Sequence, residues 1–157
     1  MNVGEVKGIM TSFSGFFTYV INESADSSTN SKRIVMNPAF RNDLGSDFRI
    51  FLHEDGCLRL YTEEHWTENA DAKIEKLEMA ERNGLPKKEM KKLSNETRIY
   101  FKSVFRGKMD KQGRITLTSD MLEHAGIKDE VVFVGMQRFI EIWEPEAFER
   151  SLAEDDE

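Results

Sequence analysis

Cysteine, proline and histidine are scarce in this chain: one, three and three among 157 residues. The single cysteine, Cys57, excludes an internal disulfide and suits a reducing compartment. No histidine stands at a useful spacing from it, so it reads as a small buried apolar residue rather than a nucleophile. His53, His65 and His124 are far apart, and neither His-x-x-x-His nor Cys-x-x-Cys occurs. A metal centre is therefore not expected. Gly15, Gly45 and Gly56 stand singly, so there is no glycine-rich phosphate loop, and Ser119 sits where a helix cap is expected rather than in a strained nucleophile turn. No cofactor and no enzymatic activity are expected.

Long apolar runs are also missing. The stretch 9–21 is too short to span a bilayer and is broken by Thr11, Ser12, Ser14 and Thr18. Its flanks, Glu5 and Lys7, do not resemble those of a signal peptide. Residues 1–12 read as a disordered leader. A first strand follows, with Phe13, Phe16, Phe17, Tyr19 and Ile21 as its apolar contacts. The acidic end 154–157 reads as solvated.

What the chain has in excess is charge, at 32% of residues, with a net −7. That sum hides a polarised distribution. Residues 82–114 hold eleven basic side chains against Glu89, Glu96 and Asp110, a net +8, so the remainder carries −15. A solvated basic helix explains such a block by itself; a polyanionic partner is implied only if a motif gathers the cations on one surface.

The sequence also repeats itself. Arg33-Ile34-Val35-Met36 matches Arg114-Ile115-Thr116-Leu117, each an arginine entering a strand. Residues 38–45 match 119–126, each a short helix closed by a glycine, with Pro38 at a first helical position and Ser119 as an N-cap. Strand 48–52 matches 131–134. Cys57-Leu58-Arg59-Leu60-Tyr61 matches Phe139-Ile140-Glu141-Ile142-Trp143, and helix starts at 62–66 and 144–148 carry the anchors Trp66 and Phe148. Neither half is large enough to bury a core alone. The halves are expected to pack on each other about a pseudo-two-fold axis.

Between them, Trp66, Ala70, Ile74, Leu77 and Ala80 or Met79 recur at helical spacing over 63–83. Asn83-Gly84 stops this helix and Pro86 opens another. Met90, Leu93 and Thr97 form an apolar edge that reads as packing, and the alternation over 100–109 predicts a strand.

Asp110-Lys111-Gln112-Gly113-Arg114-Ile115 resembles the Asp-x-x-Gly-Arg motif of the MraZ family, within the AbrB-like swapped-hairpin transcription factors. Phe105-Arg106-Gly107-Lys108 before it is similar too, as are residues 125–135 and Arg138-Phe139-Ile140-Glu141-Ile142-Trp143. Asn37-Pro38-Ala39-Phe40-Arg41 and residues 57–61 extend the likeness to the first half, so that it covers roughly 13–150. It implies an α+β fold in which two tandem half-motifs form a double swapped-hairpin β-barrel, with helices between and after them. The expected division is 13–84, the first half with its helix, and 85–157, the connecting helix, second half and C-terminal helix, together one compact domain. The implied function is sequence-specific binding of double-stranded promoter DNA upstream of a cell-division and cell-wall gene cluster. A ring-like homo-oligomer in the cytoplasm, associated with the nucleoid, is implied as well. The alternative is an antitoxin-like or adaptor module that clasps a protein.

The residues suit that chemistry. Gly113 permits a backbone conformation that other residues avoid, so the strand leaves a tight turn with Arg114 at a defined place. Asp110 is expected to form the turn by bonding backbone amides, or else to pair with the arginine. Arginine offers a planar fork suited to phosphate or to guanine. Lys111, Lys108 and Arg106 would supply phosphate contacts. The first half keeps Arg33 but has Thr29 and Lys32 where the aspartate and glycine would stand, behind a longer polar loop at 22–31 that includes Glu23 and Asp26. An asymmetric reader is expected, with Arg33 and Lys32 contributing less.

Overall fold

The computed structural model describes residues 12–21, 24–26 and 30–153; for 24–26 it describes the backbone alone. The leader up to residue 11, most of the polar loop with Glu23 and the side chain of Asp26, and the acidic end 154–157 lie outside the described residues. The elements run β1 (Phe13–Val20), β2 (Ser24–Asp26), β3 (Ser31–Val35), α1 (Pro38–Leu44), β4 (Asp47–His53), β5 (Cys57–Thr62), α2 (Glu63–Asn83) and α3 (Lys87–Lys102). There follow β6 (Val104–Lys108), β7 (Arg114–Leu117), α4 (Ser119–Ala125), β8 (Glu130–Gln137), β9 (Ile140–Trp143) and α5 (Pro145–Ala153). This is an α+β fold, with five helices and antiparallel strand pairing among the described residues.

Among the described residues the strands form two sheets, and the expected double swapped-hairpin β-barrel is not found as a closed barrel. Six strands run in the order β1-β8-β9-β5-β4-β6, and three in the order β2-β3-β7. The chain leaves the larger sheet at the end of β6 and enters the smaller one through the turn at 109–113. There Met109 still bridges Ile115, but β7 pairs with β3 instead of continuing along β4.

The repeat is written into this order. Each half-sheet is completed by the lead strand of the other half: β1 pairs with β8, and β6 pairs with β4. The backbone bonds beyond those pairs also correspond, Ile21 N–H to the Asp129 carbonyl at 2.7 Å and Met109 N–H to the Ser46 carbonyl at 2.9 Å. Two pairs of repeat-equivalent residues face one another: Ile34 opposite Ile115 in the small sheet, and Arg59 opposite Glu141 at the centre of the large one. A pseudo-two-fold axis relating the halves would pass through both pairs.

One core serves both halves. It draws Ile34, Met36, Phe40, Phe48, Ile50 and Leu60 from the first half and Ile115, Leu117, Met121, Phe133 and Ile142 from the second. Strands β5 and β9 are covered on both faces, which is why they read as almost unbroken apolar runs. On the outer face, Trp66 stacks on Tyr100 with ring centroids 5.3 Å apart and meets Phe51 and Tyr61, pinning α2 and α3 to β4 and β5. Phe148 occupies the corresponding place under α5, against Trp143 and Phe16, but is only half-buried.

Local expectations hold with two adjustments. Asn37 caps α1 with Pro38 in its first turn, while α4 is capped by Thr118, one residue before Ser119. Residues 100–102 complete α3 and the strand begins at Val104. The aromatic alternation of Tyr100 and Phe101 reflects packing onto Trp66, not a pleat.

Candidate nucleic-acid interface

The turn between β6 and β7 is organised by one carboxylate. Asp110 Oδ1 accepts from the backbone N–H groups of Gln112 and Arg114, both at 2.9 Å. Its Oδ2 accepts from Arg114 Nε at 2.7 Å. The Arg114 amide, then its guanidinium, with a smaller contribution from the Gln112 amide, hold the Asp110 carboxyl below its usual 3.8. Both expected roles of Asp110 are thus present in one geometry.

Gly113 has φ +82, and a Cβ there would lie 2.4 Å from Arg41 Cζ and Nε. Arg41 reaches this position from α1, donating Nε–H to the Met36 carbonyl at 2.9 Å, while Met36 N–H donates to the Gly113 carbonyl at 2.8 Å. The first half therefore buttresses the second half's turn. From the sequence alone Arg41 has no role at the turn, because its neighbour there is some seventy residues away; it figures only in the Asn37–Arg41 run of the family likeness.

Strand alternation sorts the basic residues. In the β3–β7 pair, Arg33 lies opposite Thr116 and Arg114 opposite Val35. These four share the outer face, while Ile34 and Ile115 point into the core. The two repeat-equivalent arginines thus sit diagonally opposite each other on the β3–β7 pair of the three-stranded sheet. With Lys108, Met109, Asp110 and Thr116 they line a shallow, open concavity. Lys111 is exposed at the turn. Arg106 is exposed on β6 opposite Arg49 and is not among the residues lining that concavity; Arg49 itself pairs with Glu63 at 2.9 Å. Lys32 falls one residue out of phase with Arg33, and its ammonium donates to the Lys128 carbonyl.

Elsewhere the chemistry is muted. Burial pushes the Cys57 thiol far up, as suits an inert core residue. Among the described residues no helix is long and apolar enough to cross a membrane.

A protein of Thermoanaerobacter sp. (strain X514), named a transcriptional regulator MraZ, is 33% identical over 117 residues, 74% of this chain and 75% of that protein. The chain belongs to the MraZ family. A MraZ of Lachnoclostridium phytofermentans is 34% identical over 117 residues, again 74% of this chain and 75% of its own length. That of Finegoldia magna is 29% identical over 130 residues, 83% and 84% of the two chains. The sequence model of the family described as "MraZ protein, putative antitoxin-like" matches residues 101–157, which include the Asp110–Arg114 turn. MraZ relatives are thus named as transcriptional regulators, and the turn falls within the segment matched to the family.

Proposed function

We propose that this protein is a sequence-specific DNA-binding transcriptional regulator that lays the β3–β7 ribbon against promoter DNA. The observation that carries the reading is the placement of Arg33 and Arg114 on one outer face, related by the pseudo-axis, with Lys108 beside them. The β3–β7 pair of the small sheet carries both arginines on one face, and arginine forks suit the phosphates of B-form DNA and the guanine edges of its major groove. Arg114 is the principal contact. Arg33 adds a second, Lys108, Lys111 and Arg106 neutralise phosphates, and Lys32 adds charge at the ribbon's end.

The finer architecture belongs to the same proposal. The exchange of lead strands between the halves supports a double swapped-hairpin of the AbrB-like kind. A ring-like homo-oligomer would set several ribbons along one duplex, compensating for the small surface of each through effective concentration. The target would be the promoter of a cell-division and cell-wall gene cluster, and the protein would reside in the cytoplasm with the nucleoid.

The test is an anisotropy titration on a labelled duplex from immediately upstream of the chain's own gene, at graded salt. Log affinity should fall roughly 0.9 per log of salt for each phosphate neutralised. Arg114→Ala should bind more weakly while melting like the wild type. An affinity indifferent to salt, or untouched by Arg114→Ala, would point instead to a module that clasps a protein.

A further inference from the structure

The guanidinium of Arg114 has two edges that can present a pair of donors: the side edge, Nε with one Nη, and the end edge, both Nη atoms. Asp110 Oδ2 occupies Nε at 2.7 Å, which removes the side edge from use. The same carboxylate is held by two backbone amides of the turn. Arg114 is therefore clamped to the turn and offers its end edge alone.

The clamp also changes what the arginine prefers. A bare guanidinium is attracted to any phosphate, whatever the base sequence. Paired with Asp110, it belongs to a unit of zero net charge, and the carboxylate repels an approaching phosphate. What remains favourable is a neutral edge with two acceptors side by side. In the major groove guanine presents that edge, O6 with N7, whereas adenine sets a donor beside its N7. We infer that Asp110 is a specificity-determining positioning residue, which turns Arg114 from a phosphate contact into a reader of guanine. This inference rests on the DNA-binding reading proposed above.

Two arms test it on the full-length chain, using the duplex from upstream of its own gene narrowed by footprinting. In the first, each guanine of the footprint is replaced in turn by 7-deazaguanine, which lacks the N7 acceptor and leaves the phosphates unchanged. At one guanine the wild type should lose roughly tenfold in affinity, as expected for a two-donor contact. In the second, Asp110→Asn keeps an oxygen for the turn amides but removes the charge from Arg114. A melt confirms folding. This variant should bind random-sequence duplex at least as tightly as the wild type and become indifferent to 7-deazaguanine at that position. Arg114→Lys, which keeps the charge but has no fork, should behave likewise. If no 7-deazaguanine substitution weakens the wild type, or if Asp110→Asn retains the full guanine preference, Asp110 only forms the turn and the inference fails. If the wild type binds no duplex even at low salt, the DNA-binding reading itself fails, a distinguishable result.

Discussion

Arg59 and Glu141, equivalent residues of the two repeats, meet on the pseudo-axis with Nε 3.0 Å from Oε2. The arginine lies over the Phe139 ring, 4.3 Å from its centroid, and Glu141 accepts from Trp143 Nε1 at 2.9 Å. With their side chains 22% and 8% exposed, neither charge keeps much water. Glu141→Ala should cost about 3 kcal/mol, because it removes the carboxylate partner of a mostly buried guanidinium and leaves the indole N–H unpaired. Replacing both partners by leucine should recover most of that loss. Urea unfolding of the single and double variants checks the comparison; a double variant no more stable than the single would show that the pair contributes net attraction.

The aromatic anchors should differ. Trp66→Ala removes a nearly buried ring that holds both long helices to the sheet, and about 3–5 kcal/mol should be lost. Phe148→Ala touches a half-buried ring and should cost roughly 1–2 kcal/mol. Thermal melts of the two variants give the ranking, and equal losses would contradict the packing described for α5.

Gly113→Ala should cost about 1–2 kcal/mol from the left-handed backbone alone. It should also drive Arg41 from the Met36 carbonyl, since the new Cβ would sit 2.4 Å from that guanidinium. At Gly84, with φ +69 and nothing within 4 Å of a built Cβ, the same change should carry the backbone penalty only. Denaturant midpoints should therefore place Gly113→Ala below Gly84→Ala; the reverse order would show that Arg41 gives way freely.

The Asp110 carboxyl should titrate below 3.8, because the folded state favours its charged form. A depressed carboxylate contributes its stability above the unfolded value and loses it as pH falls through the folded one. The turn is thus intact at neutral pH and loosens as the pH falls below 3.8 through the folded-state midpoint. Carboxyl carbon shifts followed by NMR give the midpoint directly, and Arg114→Ala should move it upward. A wild-type midpoint at or above 3.8 would mean the pair is not formed in solution.

Much of this architecture could be read before any coordinates. Periodicity located α2, and the paired runs at 57–61 and 139–143 marked the central strands, because burial on both faces leaves an apolar signature in the residues themselves. The Asp110–Arg114 turn was legible for a similar reason: its bonds are local. What escaped depends on distant partners. Tyr100 and Phe101 look like strand residues until Trp66 supplies the surface on which they stack. Lys32 and Arg33 are adjacent cations, and only the pleat decides that one meets the Lys128 carbonyl while the other joins Arg114 on the outer face. Arg41 became part of the site through a glycine in the opposite half. The closed barrel was replaced by two sheets because β7 follows β3, a choice of pairing that no single strand encodes.

The exchange of lead strands has a consequence for how such a molecule lies on a partner. Two identical separate chains with this pairing would set arginine against arginine, or glutamate against glutamate, at the central crossing. Within one polypeptide the two halves need not be identical: residues 110–114 form a tight turn, whereas the segment before Arg33 is a longer polar stretch in the sequence. The result has a front and a back. If the proposed DNA-binding reading holds, a molecule so built would distinguish the two directions along a duplex, and reversing its target sequence would present a different text.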